Sequence, residues 1–340
     1  MKWLWSFAAL LVLTASGMSQ EVLPAPRIPA GDPQPLPDSP DSCVFPSTDC
    51  CQGAAGGFLS GTHQFDRFIG FMSNPIQNID PRAVTELWPM FMSNWVSTIP
   101  ALPSGDIQLY GAGLYVALSD RLSFGLNQGG GATANFNGGE TGPFLDHLGH
   151  LHDKSDFAGF HSGWLNLGGF VQYTLIANAE RQFLLTAGLR VEAPSGSPSI
   201  LQGHGPPYLA PYFTLGKEFG EFHFLATTGY EFPAGSVGST SNYFYTNVHF
   251  DRRCFGWLYP LLEFNATYHT TTVPVDLPTR IGFIDMCTFT SSGTLVAMAV
   301  GANAVLVPNK LEFGGAYTTS LGATHGFDFN GLLVKMVIRF

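Results

Sequence analysis

Apolar and polar residues alternate most clearly in the last nine residues of the chain, LLVKMVIRF. Every second residue from Leu332 to Phe340 is apolar, whereas Lys335 and Arg339 fall at intervening positions. Because a strand sends successive side chains to opposite faces, one face is fully apolar and the other carries charge. This pattern, ended by an aromatic residue, is typical of a strand between lipid and the polar lumen of an outer-membrane barrel.

The same rhythm repeats along the chain after residue 82. Twelve segments have roughly the length that a tilted strand needs to cross a bilayer. They are 83–98, 105–118, 120–130, 160–177, 181–193, 207–218, 221–232, 241–252, 257–270, 293–306, 309–320 and 327–340. Alternation is poor in the first and sixth segments, where Pro89 and Pro211 predict bulges or barrel ends.

Short and long connections alternate between these segments. Tight turns such as 119–120 and 219–220 are followed by longer polar stretches such as 131–159 and 271–292. In outer-membrane barrels, short turns face the periplasm and long loops face outside. We therefore predict an all-β protein, an antiparallel transmembrane β-barrel of about 12 strands with short periplasmic turns and longer extracellular loops. Closure requires that the first and last strands pair, since open sheet edges do not occur in hydrocarbon.

The alternation also assigns charged residues to the lumen, because an Arg or Lys facing lipid at the midplane would cost about 2–4 kcal/mol. The predicted lumen-lining residues are Arg121, Arg190, Glu192, Glu231, Glu263, His269, Lys335 and Arg339. Opposite charges on neighbouring inward faces could line a selective pore. They could equally pair across the lumen and close it, since a barrel of this size has a limited interior. A narrow or plugged pore is favoured over a wide porin.

Three regions precede the barrel, which is predicted to span 82–340. Residues 1–19 form a signal peptide, with a positive residue, an apolar core and a small-residue cleavage site. Residues 20–42 are a Pro-rich linker that cannot bury a core. Residues 43–80 are irregular and contain cysteines, and they could be a plug inside the barrel, a periplasmic cap or a disordered segment. The predicted location is the bacterial outer membrane.

Composition narrows the class of protein further. Only 12% of residues are charged, against roughly 25% in typical soluble domains. The formal net charge of -10 gives no support to nucleic-acid binding, which needs a basic surface. No cofactor is predicted. The five cysteines fit an oxidising compartment. A disulfide from Cys43 to Cys50 or Cys51 and unpaired thiols are both compatible with the sequence.

One loop carries the residues of a candidate metal site. Its histidines are His147, His150 and His152, and they lie between two aspartates, as Zn or Cu ligands could. Histidine-dense loops are also simply polar. That interpretation is favoured, because ligand spacing alone does not preorganise a site.

Enzymatic motifs find little support. His161 and Ser162 are adjacent, so a strand would send them to opposite faces, whereas outer-membrane lipases commonly use His-x-Ser. The nucleophile elbow Gly-x-Ser-x-Gly does not occur. We therefore predict that the protein is not an enzyme.

Several segments together resemble a family of outer-membrane channel-like proteins named after the meta-pathway of phenol degradation. They are DPRAVTEL (80–87), SDRLSFGL (119–126), QFLLTAGLRVEAPSGS (182–197), GKEFGEFHFLATTGYEFP (216–233) and FDRRCFGWLYPLLEFN (250–265). The resemblance covers most of the chain after about residue 70. It implies an outer-membrane barrel with a transport role, and it brings no catalytic residues.

The leading hypothesis is therefore a channel or transporter that passes small molecules through the outer membrane, with apolar molecules as one option for the solute. The alternative is a structural or surface-display barrel with a closed lumen, and a surface lipid-modifying enzyme is the least favoured. The expected partners are outer-membrane lipid, an unknown small solute and the barrel-assembly machinery. The predicted assembly signal is Met336, Ile338 and Phe340 at the carboxyl terminus.

Overall fold

The computed structural model describes residues 59, 61–62, 64–97, 103–138, 143–145, 151–153, 158–200, 202–203, 205–235, 242–270, 293–323 and 328–340. All of them belong to the compact unit Ala54–Phe340. The predicted signal peptide and linker, with Cys43, Cys50 and Cys51, lie outside the described residues. Within these ranges, no helix is long and apolar enough to cross a membrane.

Almost all regular structure in these ranges is β-strand. The strands are β1 (Glu86–Val96), β2 (Gly105–Ala117), β3 (Leu122–Gln128), β4 (Gly130–Phe136), β5 (Pro143–Leu145), β6 (Leu151–Asp153), β7 (Gly159–Trp164), β8 (Leu167–Asn178), β9 (Phe183–Ala193), β10 (Tyr208–Phe219), β11 (Phe222–Pro233), β12 (Tyr243–Arg252), β13 (Leu258–His269), β14 (Thr294–Val307), β15 (Leu311–Ala323) and β16 (Phe329–Arg339). A short 3-10 helix spans Pro198–Ile200. Strands β5 and β6 form a separate hairpin.

The other fourteen strands form one antiparallel sheet that closes on itself. Strand β1 pairs with β2 on one side and with β16 on the other, from Glu86 opposite Arg339 to Val96 opposite Phe329. Strands β3 and β4 both pair with β2, and their outer partners are β8 and β7. Strands β3 and β4 are two parts of one interrupted barrel strand, and β7 and β8 are two parts of another, so the barrel has twelve strands. The predicted fold is confirmed, because β1 pairs with both β2 and β16 and so closes the ring.

The third barrel strand is longer than the sequence predicted. Residues 131–136 were expected to begin a long loop, but they form most of β4 and pair with β2 and β7. The Gly129–Gly131 run hides this strand, because glycine carries no side chain to alternate. Gly130 has a φ of 133°, a conformation that side-chain-bearing residues rarely adopt, and it marks the interruption between β3 and β4.

Inward and outward positions follow the alternation. On β3, Phe124 and Leu126 are exposed on the outer surface, whereas Ser123 and Asn127 are buried inside. On β16, Leu332 is exposed and Lys335 is buried. A closed barrel with an apolar outer surface has the character of an outer-membrane protein. The chain is therefore an outer-membrane barrel.

Neither proline that predicted a bulge produces one. Pro89 lies opposite Ala112 within an unshifted β1–β2 register, and Pro211 lies opposite Leu189 within an unshifted β10–β9 register. The register shifts occur elsewhere, for example between Thr174 and Ile176 in the β8–β9 pair. The weak alternation of β1 has another cause, because its inward residues are apolar and pack against chain inside the barrel, as described next.

Candidate functional site

Residues 64–82, here called the inner segment, lie inside the barrel. Both ends are held at the rim where the short turns are. On the entry side, the backbone N–H of Leu59 donates to the carbonyl of Ala117 at 3.1 Å. On the exit side, the N–H of Ala83 donates to Oγ1 of Thr62 at 3.0 Å. The segment therefore enters and leaves the lumen at the same rim, which is the periplasmic one in an outer-membrane barrel.

A tight turn forms the tip of the inner segment. Asn74 has a φ of 46°, in the left-handed region that Asn tolerates better than most residues. The N–H of Asn78 donates to the carbonyl of Asn74 at 2.9 Å. From the wall, Asn127 donates to the carbonyl of Ile76 at 2.7 Å, and Asn247 donates to Oε1 of Gln77 at 3.2 Å. Polar wall side chains thus hold the tip, which is fully buried.

The returning arm is held through its backbone carbonyls. Gln172 donates to the carbonyl of Asp80 at 2.9 Å, and Thr214 donates to that of Ile79 at 3.1 Å. Thr186 donates to the carbonyl of Pro81 at 2.5 Å. These donors come from three different strands. The inward polar residues therefore replace the sheet partners that this non-strand backbone lacks, as buried backbone groups require.

Glu263 on β13 makes the most concentrated contact with the inner segment. One carboxylate oxygen accepts the N–H of Met72 at 2.7 Å, and the other accepts the N–H of Ser73 at 2.6 Å and also the Ser73 hydroxyl. Asn265, two residues along, donates to the Ser73 hydroxyl at 2.8 Å and accepts from Asn78 at 2.9 Å. Two neighbouring wall residues therefore hold both sides of the tip.

Apolar contacts fill the space between these polar ones. Ile69, Met72, Ile76 and Ile79 belong to one buried cluster with the inward residues of β1 and β2, among them Met90. This burial removes apolar area from water, at about 25 cal/mol per Å². It also explains why β1 is apolar on both faces: one face meets lipid and the other meets the inner segment.

A line of alternating acidic and imidazole side chains runs along the inner wall to Glu263. We call it the acid–histidine chain: Glu218, His223, Asp251, His249 and Glu263. Nδ1 of His223 lies 2.6 Å from Oδ1 of Asp251, and Nε2 of His249 lies 2.9 Å from the other Asp251 oxygen. Nδ1 of His249 lies 2.6 Å from Oε1 of Glu263. Nε2 of His223 is 3.8 Å from Glu218, which is too long for a hydrogen bond.

A separate group of charges links wall strands to one another. Arg190 pairs with Glu231 at 3.1 Å and with Glu192 at 2.8 Å, and it also donates to Gln128. Asn166 donates to Glu192 at 3.0 Å. We call these residues the wall cluster. All their side chains are buried.

Ion pairs also gather at the short-turn rim. Asp80 and Arg82 pair within the inner segment at 2.6 Å. Arg339 pairs with Glu86 at 3.1 Å and also with Glu312. The rim where β1, β15 and β16 meet is thus tied together by charge.

Aromatic rings lie flat against the inner wall where the opposite residue is glycine. Trp88 lies opposite Gly113, and Tyr245 lies opposite Gly229. A Cβ at Gly113 would stand only 2.0 Å from the Trp88 ring, and one at Gly229 would stand 2.5 Å from the Tyr245 ring. Glycine is therefore required at these positions, because the rings lie flat against the wall over them instead of pointing towards the barrel axis.

The predicted lumen residues occupy different kinds of place. Seven of the eight lie on inward positions of strands or at their ends: Arg190, Glu192, Glu231, Glu263, His269, Lys335 and Arg339. Lys335 donates to the carbonyl of Phe71 in the inner segment. Arg121 does not line the lumen: it is exposed in the turn before β3, because that strand begins one residue later, at Leu122.

Only Glu263 of the acid–histidine chain is among the predicted lumen-lining residues, and the other four members were not predicted as site residues. His249 and Asp251 alternate with Val248 and Phe250 along β12. That alternation could have placed both on the inward face. Their proximity to Glu263 depends on the register of β12 against β13, in which His249 lies opposite Glu263.

The candidate metal loop is mostly outside the described residues. His147 and His150 are not among them, and His152 is a residue of β6 whose side chain is not described. In the part of the chain that the structure describes, no group of three or more His, Cys, Asp or Glu side chains could hold a metal ion. The predicted assembly signal lies at the end of β16. Phe340 is exposed, and its N–H donates to the carbonyl of Thr85 at 3.1 Å. Recognition of the Met336, Ile338 and Phe340 motif by the assembly machinery stays a prediction.

Comparison with known proteins gives structural neighbours of the barrel. No protein-family model matches the chain, and no curated protein matches it. An outer membrane channel from Pseudomonas putida F1 is similar in fold, with a TM-score of 0.51 at 11% identity over 78% of this chain and 98% of that one. The NanC porin aligns with a TM-score of 0.45 at 7% identity, over 74% of this chain and all of that one. At 11% identity the likeness to the Pseudomonas putida F1 channel concerns the fold alone, and it agrees with an outer-membrane barrel.

Proposed function

We propose that the chain is a gated outer-membrane channel for small molecules, in which the inner segment is the plug. The observation that carries the proposal is how the inner segment is held. Wall side chains bind its tip and returning arm, while the barrel ladder itself closes without it. The segment could therefore leave the lumen through the rim by which it entered, with the barrel intact.

The inner surface supports a class of solute. Inward aromatic residues on β1, β2, β8, β10 and β12 stand beside polar ones; among them are Trp88, Tyr115, Phe170, Tyr212 and Tyr245. Tyr212 also donates to Gln172 at 3.0 Å. Rings with a polar edge suit compact apolar molecules that carry a hydroxyl or a similar group. The similar barrel from Pseudomonas putida F1 is described as a channel, which agrees with this assignment.

A reversible lock on the tip tests the gate. Asn78 and Asn265 contact each other at 2.9 Å across the gap between plug and wall, so Asn78→Cys with Asn265→Cys places two thiols on the facing sides of that gap, and mass spectrometry after oxidation shows whether they form a disulfide. The five natural cysteines would be replaced by serine. In planar bilayers we expect the oxidised protein to be silent and the reduced protein to show channel openings. Each single variant, with and without reductant, is the matched control.

A structural barrel with a permanently closed lumen is the second candidate. The wall cluster favours it, because Arg190 forms buried ion pairs inside the barrel, with Glu192 on its own strand and with Glu231 on β11, and the tip of the inner segment is fully buried. Under this alternative, neither the reduced double variant nor a variant lacking 64–79 would conduct. That result in correctly assembled protein would refute the channel.

A further inference from the structure

The acid–histidine chain connects the short-turn rim with the tip of the inner segment. Its members face one another because of strand register: Glu218 lies opposite His223, His223 opposite Asp251, and His249 opposite Glu263. His249 and Asp251 are two residues apart on β12, so they share a face. At the rim, Arg67 of the inner segment pairs with Glu218 at 3.0 Å, and the Arg67 side chain is about half exposed.

Hydrogen bonding within the acid–histidine chain depends on which of its groups carry a proton. Both ring nitrogens of His249 lie within hydrogen-bond distance of a carboxylate oxygen. Both contacts are hydrogen bonds only if His249 is an imidazolium or if one of the two carboxyls carries a proton. Glu263 meanwhile faces four donor groups: the N–H groups of Met72 and Ser73, the Ser73 hydroxyl and His249. An ionised carboxylate can accept all four, since it offers about four lone-pair sites.

Other charged and titratable groups surround the chain. Lys335 on β16 acts electrostatically on Glu263, and Glu86, Glu312 and Asp80 act on Lys335 in turn. Arg82 and Arg339 pair with these acids. The rings of Phe68 and Tyr259 cover His223 at 5.4 and 5.9 Å, and Phe71 covers His249 at 5.6 Å. Glu263 is thus the charged wall residue of this group that binds the backbone of the inner segment.

We propose that the acid–histidine chain is a proton-operated latch, which holds the tip of the inner segment at neutral pH and releases it in acid. A proton on Glu263 occupies one of its acceptor sites and removes its charge, so the four donors can no longer all be satisfied. Charge-assisted bonds to the tip then weaken or break. The latch rests on the proposed channel function, and it adds the signal that opens the gate.

The test is channel conductance as a function of pH, in planar bilayers holding the full mature chain. For the natural sequence we expect conductance to rise about fivefold or more as the pH falls from 7 to below 4, because a proton on Glu263 has to compete with its four donors. Glu263→Gln mimics the neutral acid, so it should be open at pH 7 and nearly flat with pH. An imidazolium at His249 favours the ionised form of Glu263, so His249→Gln should move the midpoint of the pH curve upward by about one pH unit.

Glu221→Gln is the matched control, because Glu221 is an exposed turn carboxylate that pairs with Arg253 and lies outside the chain. The conductance of this variant should depend on pH as that of the natural sequence does. Equal conductance at both pH values, in protein whose reduced tip variant conducts, would overturn the latch and leave the channel standing. A pH response that Glu263→Gln retains would overturn it too. If Glu263→Gln does not assemble, the His249→Gln shift decides alone. Silence of every variant, including the reduced tip variant, would instead refute the channel.

Discussion

The wall cluster and the acid–histidine chain are both buried sets of paired charges on the inner wall, yet they are built for different tasks. In the wall cluster, Arg190 pairs with Glu192 on its own strand and with Glu231 on β11. In the acid–histidine chain, Glu263 is the end member, and it accepts the backbone N–H groups of Met72 and Ser73 in the inner segment. The first set ties wall to wall, and the second ties wall to plug.

This difference shows why counting inward charges cannot tell a pore from a closed barrel. Charges of either set lie on inward positions and alternate with lipid-facing residues. Removing one partner of a buried pair is costly in both. Substitutions in the wall cluster should therefore change the stability of the barrel without moving the inner segment. Substitutions in the acid–histidine chain should change the position of the inner segment as well.

Arg190→Met should have the largest effect on stability. It removes the Arg190 partner of the buried Glu192 and Glu231, which costs about 3–5 kcal/mol. We expect that loss in the free energy of unfolding, measured by urea titration in lipid vesicles, with little change in conductance at neutral pH. A large rise in conductance would show that the wall cluster also holds the plug.

Asn265→Leu should act on the plug instead. The substitution removes one bond to the Ser73 hydroxyl and one from Asn78, or about 2 kcal/mol at roughly 1 kcal/mol each. We expect a larger open fraction in single-channel records at pH 7. Asn303→Leu is the matched comparison, because the side chain of Asn303 donates to Glu312 rather than to the inner segment. If both variants open equally, the contact with the tip is not the cause.

Thr186→Val should have a smaller effect of the same kind. It removes the bond to the carbonyl of Pro81 in the returning arm, at a cost of about 1 kcal/mol. The nearby Thr174 hydroxyl, 3.5 Å from the same carbonyl, can take over part of that bond. A modest rise in open fraction is the expected result, and a response as large as that of Asn265→Leu would contradict the ranking.

The double variant Arg190→Met with Asn265→Leu measures whether the two regions are independent. The two side chains share none of the contacts described above. Their effects on the free energy of unfolding should therefore add to within about 0.5 kcal/mol. A coupling beyond 1 kcal/mol, from a double-mutant cycle in vesicles, would mean that the wall cluster and the plug form one unit.

Arg253→Gln should have the smallest effect. The hydrogen bond from Arg253 lowers the pKa of Glu221, so this pair contributes above the ordinary pKa of Glu and is lost as the pH falls through the lowered value. Glu221 is fully exposed, and solvent screens the pair. We expect no measurable change in unfolding between neutral and acidic pH. An altered acid response of conductance would move the pH sensor from the lumen to the rim.

Much of the barrel was predictable because alternation is a local property. Phe124, Leu126 and Ser123 could be assigned to their faces from β3 alone, and closure followed from the need to leave no open edge. The weak pattern of β1 was misleading in one respect, since Pro89 lies in an unshifted register. Its apolar inner face was a sign of something inside the barrel rather than of a bulge.

The site was predictable only in part. Glu263 and Lys335 were recognisable as inward charges, but nothing near them in the chain shows that they bind Met72, Ser73 and Phe71, roughly 190 to 260 residues earlier. The inner segment has no periodicity of its own, because its backbone bonds go to wall side chains instead of to a repeating ladder. For a segment of this kind, the sequence predicts only an irregular structure.

The class of protein, the number of barrel strands and the face on which most residues lie were predictable from the amino-acid pattern alone. These follow from a two-residue period and from the cost of placing charge in lipid. What the inward residues do depends on the three-dimensional arrangement of the strands. Closing the ring brings distant strands around one short segment, and whether a buried charge meets another wall strand or the plug depends on that convergence.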